Sequence, residues 1–162
     1  GSGKTSLMKI LAGLNSFETG SIEYDNIKIN SEKYNLDFLY LGHLAALSPE
    51  LSCLENLKYT AHLGNNNLKP DFSDALTKVG LEKFENELVG KLSAGQKKRI
   101  ALSLLFITQS KVWLLDEPFS ALDSQAIKII ESRIEEHCNS GGLCILTTHQ
   151  DCNIENIKEI SL

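Results

Sequence analysis

The chain has 162 residues, 42% of them hydrophobic, and carries 21 acids against 16 lysines and arginines for a net charge of −5. That size and apolar content suit one globular domain with its own core, and the acidic balance excludes a broad phosphate-neutralising surface for nucleic acid. No stretch approaches the roughly 18 uninterrupted apolar residues of a membrane span, and no secretory signal stands at the first residues.

The chain opens on Gly1, Ser2, Gly3, Lys4, Thr5 and Ser6. Gly3, Lys4 and Thr5 match the last three positions of the phosphate-loop pattern G-x-x-x-x-G-K-[ST], and Gly1 is an interior glycine of it. Glycines let backbone N–H groups turn inward around a phosphate, and a following helix adds the favourable end of its dipole. Lys4 is placed to reach the β and γ phosphates, and the Thr5 hydroxyl to hold Mg2+. Residues 4–14 put Leu7, Ile10, Leu11 and Leu14 at helical spacing, which predicts a helix that starts at the loop and buries that stripe.

Ile22 and Tyr24, then Ile27 and Ile29, alternate around Asp25 and Asn26, a hairpin pattern. The apolar run at 37–43 predicts a short buried strand ending at Gly42 and His43. Residues 47–92 change character: LENLKYTAHL, FSDALTKVG and LEKFENELVGKL are all helical in pattern, separated by GNNNLKPD and by Gly80. This predicts a helical subdomain at 47–92, inserted between the two parts, 1–46 and 93–162, of an α/β core.

AGQKKRIALSLLFITQ then begins a longer helix that sends Ile100, Leu102, Leu104 and Leu105 into the core. VWLLD is an apolar strand ending in acids, residues 124–138 form an amphipathic helix, and LCILTTH is a second apolar strand. Strands alternating with helices, and ligand-type residues at the strand C-termini, indicate a mostly parallel sheet in an α/β fold. Cys53, Cys138, Cys144 and Cys152 show no CxxC spacing and read as buried reduced thiols. His137 beside Cys138 does not make a metal site.

Two further stretches carry chemistry. Asp116 ends its strand where a carboxylate can meet the Mg2+ of a bound nucleotide, and Glu117 can orient and deprotonate an attacking water. Upstream, LSAGQKKRI offers the Ser93 hydroxyl and the backbone N–H groups of Ala94 and Gly95 at a helix N-terminus, a second anion site.

LSAGQ, then LLDEP and SALD, then TTH, in this order, resemble the nucleotide-binding domain of ATP-binding-cassette (ABC) proteins across essentially the whole chain. The resemblance implies a P-loop NTPase fold with ATP and Mg2+ as ligands. It implies that Gly1, Ser2, Gly3, Lys4, Thr5 and Ser6 cradle the phosphates and that Thr5 and Asp116 hold Mg2+. Glu117 is then the catalytic base, and His149 the switch histidine on the γ-phosphate. Ser93, Gly95 and Gln96 form the signature that touches the γ-phosphate of a second subunit, and Asp123 is a dimer contact. The implied assembly is a head-to-tail homodimer with two ATP molecules between the phosphate loop of one subunit (Walker A, with Lys4 and Thr5) and the signature of the other.

Integral membrane permease subunits would dock on 47–92, placing the chain peripherally on the cytoplasmic face of the inner (cell) membrane with no nucleic-acid partner. One position departs from the family: His43 stands where a glutamine usually connects Mg2+ and the lytic water to the membrane partner. A neutral imidazole nitrogen accepts or donates a hydrogen bond but does not do both.

YLGH, LSCLENL and LSAGQKKRIALSLL, with an end soon after His149, resemble more narrowly the small ATPase subunit of the haem exporter of bacterial cytochrome c maturation. The expectation is therefore an ATPase that powers a membrane complex, with haem export as its task. The alternatives are an ABC ATPase of another transporter and a soluble one acting on ribosome or DNA. The soluble types carry two cassettes in tandem, or a long coiled coil between Walker A and the signature, and no heptads separate Lys4 from Ser93. A subunit that binds without hydrolysing is disfavoured because Glu117 and His149 are both present. The family also implies a strand before the phosphate loop, an antiparallel β region and an adenine-stacking aromatic. Residues 1–162 thus read as a C-terminal portion of a longer protein, binding ATP poorly as they stand.

Overall fold

The computed structural model describes residues 3–29, 37–43, 46–63 and 70–160. In chain order these form α1 (Lys4–Leu11), β1 (Glu23–Tyr24), β2 (Ile27–Lys28) and β3 (Phe38–Leu41), then α2 (Cys53–Leu63), α3 (Phe72–Lys78) and α4 (Ala94–Ser103). β4 (Val112–Asp116), α5 (Ser124–Asn139) and β5 (Leu143–Thr147) complete them.

β1 and β2 pair antiparallel around Asp25 and Asn26, whose φ angles of 51° and 62° suit a turn whose two central residues are left-handed. The other three strands are parallel in the order β3-β4-β5, with Leu41 opposite Leu115 and Asp116 opposite Thr147. β4 is central and buried at every residue, which is why its sequence is a continuous apolar run rather than an alternation. Its side chains go to opposite faces. Val112 and Leu114 pack with Met8 of α1, whereas Trp113 and Leu115 join the larger core with Leu57, Leu76, Leu105, Phe119 and Ile134. Burying each such side chain contributes about 1.5–3 kcal/mol.

α1 corrects one expectation. Its buried residue is Met8, with Leu11 partly buried, while Leu7 and Leu14 are 39% and 62% exposed. The helix turns its Met8 and Leu11 side onto β4, so a stripe centred on Leu7 lies off the contact, and the helix ends at Leu11.

In residues 47–92, α2 and α3 form as expected, but LEKFENELVGKL does not make a third α-helix. Gly80 leaves α3 at a φ of 74°, and the chain then makes turns and a single 3-10 turn at Val89–Lys91. Its carbonyls are used elsewhere: Glu87 O and Glu85 O accept from the N–H groups of Cys53 and Leu54 at the start of α2, which would otherwise lack partners. Val89 N–H and Gly90 N–H donate in return to Leu51 O and Pro49 O. Ser52 and Glu55 add a reciprocal cap at the same end of α2, the S-x-x-E pattern of a capping box.

The helix after the signature is also shorter than expected. α4 stops at Ser103, whose hydroxyl bonds back to Ile100 O, and tightens into a 3-10 turn at Leu104–Phe106. Ile100, Leu102, Leu104 and Leu105 are all buried. The four cysteines are free, but only Cys53 is buried; Cys138 is exposed and Cys144 and Cys152 are intermediate. No helix of the described residues is long and apolar enough to cross a membrane.

Candidate functional site

Because β3, β4 and β5 are parallel, their C-terminal ends meet at one edge, and there the chemistry-bearing residues gather. Asp116 closes β4 and is 1% exposed. Its Oδ1 accepts from the Thr147 hydroxyl at 2.7 Å and from the Thr5 hydroxyl, in the first turn of α1, at 3.2 Å. Its Oδ2 is buried with no hydrogen-bond partner among the described residues. A buried carboxylate oxygen without a donor is costly, and the Asp116–Thr5 pair therefore fits a hard cation, which takes oxygen ligands.

Glu117 follows at a φ of 51°, a left-handed backbone that a non-glycine residue adopts at a cost. Its N–H donates to Thr147 O and Thr147 Oγ1, both at 3.1 Å. Its carbonyl accepts from the Ser120 hydroxyl at 2.9 Å. Thus held, the Glu117 carboxylate lies 3.4 Å from Nε2 of His149, which is exposed beyond the end of β5. Lys98 of α4 is buried behind this edge, with its ammonium 3.5 Å from the Asp116 carbonyl oxygen. Burial holds the Lys98 pKa below its usual value against the opposing pull of Asp116 and Glu117. The phenol of Tyr40 on β3 is pushed up by burial and then by the Asp116 charge.

Gly3 caps α1 with a φ of 89° and no side-chain hydrogen bond, so the first N–H groups of the helix have no side-chain cap. Lys4 is half-buried and Ser6 exposed. Gly1 and Ser2 lie outside the described residues. His43 is exposed just past β3.

The signature residues sit apart from this cluster. Ser93 Oγ accepts from Gln96 N–H at 3.2 Å, while Gln96 Oε1 accepts from Ser93 N–H at 2.9 Å, a reciprocal cap on α4. Gly95 lies so close to the loop after β4 that a Cβ there would stand 2.5 Å from Ala121 O. Asp123 caps α5 through Ala126 N–H at 2.8 Å and forms an ion pair with Arg99 of α4. Among the described residues, no hydrogen bond or ion pair joins Ser93, Gly95, Gln96 or Asp123 to Thr5, Asp116 or Glu117.

Three residues of this region escape a reading of motifs. Thr147 was visible only as part of TTH, yet its register opposite Asp116 makes it the link between the two acids. Lys98 and Arg99 are neighbours in one basic run of the sequence, and only the partners they find across the fold separate them, with Lys98 reaching Asp116 O. Arg99 spans two partners, donating to Val79 O at 3.1 Å and pairing with Asp123.

Residues 1–120 match the family model described as ABC transporter. A protein of Shewanella sp. (strain MR-4), the cytochrome c biogenesis ATP-binding export protein CcmA, is 46% identical over 169 residues, covering all of this chain and 77% of that protein. Its namesake from Histophilus somni is 42% identical over 165 residues, again over the whole chain and 76% of the relative. Among solved structures, the ATP-binding cassette MJ0796, a dimer in a post-hydrolysis state bound to ADP and Pi, superposes with a TM-score of 0.79. It is 25% identical, covering 92% of this chain and 71% of that one. The motifs, the parallel sheet edge and these likenesses agree, and the chain belongs to the ABC transporter family as an ATP-hydrolysing cassette coupled to transport.

Proposed function

We propose that this cassette drives an export system of cytochrome c biogenesis whose cargo is haem. The observation that carries the proposal is identity of 42–46% along the full chain to export proteins of that name. Asp116, Glu117 and His149 at one sheet edge supply the hydrolytic chemistry, which ABC cassettes share whatever their cargo.

In this reading Lys4 and the open N–H groups at the start of α1 bind the ATP phosphates. Thr5 and Asp116 hold Mg2+, which when bound neutralises phosphate charge. Glu117 takes a proton from the attacking water, and its rigid backbone keeps that carboxylate from drifting out of line. His149, exposed and beside Glu117, bonds the γ-phosphate.

Ser93, Gly95 and Gln96 face the γ-phosphate held by a second copy, a role for which the cap at the start of α4 is free, being exposed at Ser93 and not bonded to Asp116 among the described residues. The reading includes a head-to-tail homodimer with Asp123 at the contact, and the dimeric state of the similar cassette MJ0796 supports it. Residues 47–92 serve as the helical subdomain on which membrane permease subunits dock, with His43 as the link between that surface and the nucleotide. The chain then sits at the cytoplasmic face of the inner membrane without a nucleic-acid partner.

Two measurements test the proposal. Glu117→Gln should abolish ATP turnover while leaving nucleotide binding intact, and retained turnover would remove Glu117 as the base. Affinity purification from membranes should bring down integral membrane proteins that carry haem; a permease for another solute, or ribosomes, would overturn the assigned cargo.

A further inference from the structure

Lys98 is 7% exposed, an unusual place for a lysine, because a buried ammonium without close partners is expensive. None of the roles above uses it. Its ammonium donates to the carbonyl oxygen of Asp116 at 3.5 Å, and the negative charges of Asp116 and Glu117 act on it. That carbonyl belongs to the peptide unit between the two acids. The N–H on the other side of the same unit is Glu117 N–H, which donates to Thr147 O and Thr147 Oγ1.

The peptide is therefore gripped from both sides, by α4 through its oxygen and by β5 through its nitrogen. Its orientation sets the φ of Glu117, and that φ is 51°. Left-handed backbone at a non-glycine residue persists only where the surroundings over-determine it. Glu117 also precedes Pro118, whose ring disfavours the helical alternative at the residue before it.

We infer that Lys98 is a positioning residue for hydrolysis: its ammonium holds the Asp116–Glu117 peptide so that the Glu117 carboxylate stays aimed at the attacking water. This rests on the reading of Glu117 as the base. Lys98 is buried behind the sheet edge and reaches the acids through the main-chain carbonyl of Asp116, so its loss should act on turnover and not on nucleotide affinity.

The test compares Lys98→Met and Lys98→Arg with the native protein, in the intact chain with its partners, reading kcat, KM for ATP, affinity for a fluorescent ATP analogue and thermal midpoint. The inference expects Lys98→Met to lower kcat roughly tenfold, about 1.4 kcal/mol in the barrier, with affinity and KM unchanged, and Lys98→Arg to recover much of the loss. An unchanged kcat in Lys98→Met, or a loss explained by weaker nucleotide binding alone, overturns it. Should Lys98→Met fail to fold, Lys98→Gln is read in the same way: lowered kcat at native affinity supports the inference, and native kcat overturns it. Glu117→Gln is measured alongside. Turnover retained there overturns the base assignment and this inference with it, whereas turnover lost there with native kcat in Lys98→Met overturns this inference alone.

Discussion

The Thr147 hydroxyl bonds in two directions, donating to Asp116 Oδ1 at 2.7 Å and accepting from Glu117 N–H at 3.1 Å. One side-chain atom on β5 thus fixes the carboxylate of one acid and the backbone of the next. A hydroxyl has one proton and two lone pairs, so both bonds can be made at once.

Thr147→Val keeps the branched shape and deletes this link. Asp116 Oδ1 is then left with the longer Thr5 bond alone, and a buried acceptor deprived of its donor costs about 1–3 kcal/mol. The urea midpoint should fall without a change in slope, and ATP turnover should fall with it. Thr147→Ser, which retains the hydroxyl, should recover most of both. A valine variant as stable as the native protein would show that the bond contributes nothing.

Gly95 is required by a close approach of two backbones. A methyl group there would stand 2.5 Å from Ala121 O, and since the obstacle is main chain it cannot swing aside. Gly95→Ala should therefore destabilise by about 1–3 kcal/mol, the usual cost of overpacking. Ala94→Gly, one residue earlier at an exposed position, should cost about 1 kcal/mol or less, as a helix glycine does. Thermal melts of the two variants compare them directly; equal losses would mean that the Ala121 loop gives way freely.

The sheet was legible because β4 is buried on both faces and must be written as VWLLD. The acids at its end were legible because parallel strands deliver their C-termini to one edge. What escaped was anything decided by which groups find partners across the fold. LEKFENELVGKL has helical spacing, but Glu85 and Glu87 lend their carbonyls to α2, and no periodicity reports that. Leu7 and Met8 are adjacent apolar residues; only the placement of α1 on Val112 and Leu114 decides that Met8 is the buried one. Lys98 and Arg99 are likewise neighbours in one basic run, and one turns to Asp116 while the other turns to Val79 and Asp123.

Asp123 combines an N-cap with an ion pair, and two substitutions separate the roles. Asp123→Asn keeps a good capping side chain and loses the charge that faces Arg99. The Asp123 side chain is 61% exposed, so that loss should be under about 1 kcal/mol. Asp123→Ala removes the cap as well and should cost a further 0.5–2 kcal/mol, roughly. Equal stability of the two variants in chemical denaturation would count against the cap.

His137 gives the fold a dependence on pH. Its ring lies stacked on Trp113, with centroids 3.7 Å apart and planes 3° from parallel, and its Nε2 lies 3.1 Å from Lys111 O. Burial lowers the His137 pKa from 6.5; the Lys111 and Leu143 carbonyls oppose the shift, and the Arg133 charge adds to it. The unfolded chain then binds the proton more readily than the folded one, so stability rises with pH here. The contribution is complete above 6.5, the value in the unfolded chain, and is lost as the pH falls from there toward the lower folded value. His137→Phe preserves a ring against Trp113 but cannot titrate. Between pH 7.5 and 5.5 the melting temperature of the native protein should fall further than that of the variant. Trp113 is the single tryptophan of the chain, so its fluorescence reads the melts and, by quenching, the protonation of the ring stacked upon it. Parallel pH curves for the two proteins would show that His137 titrates alike in both states.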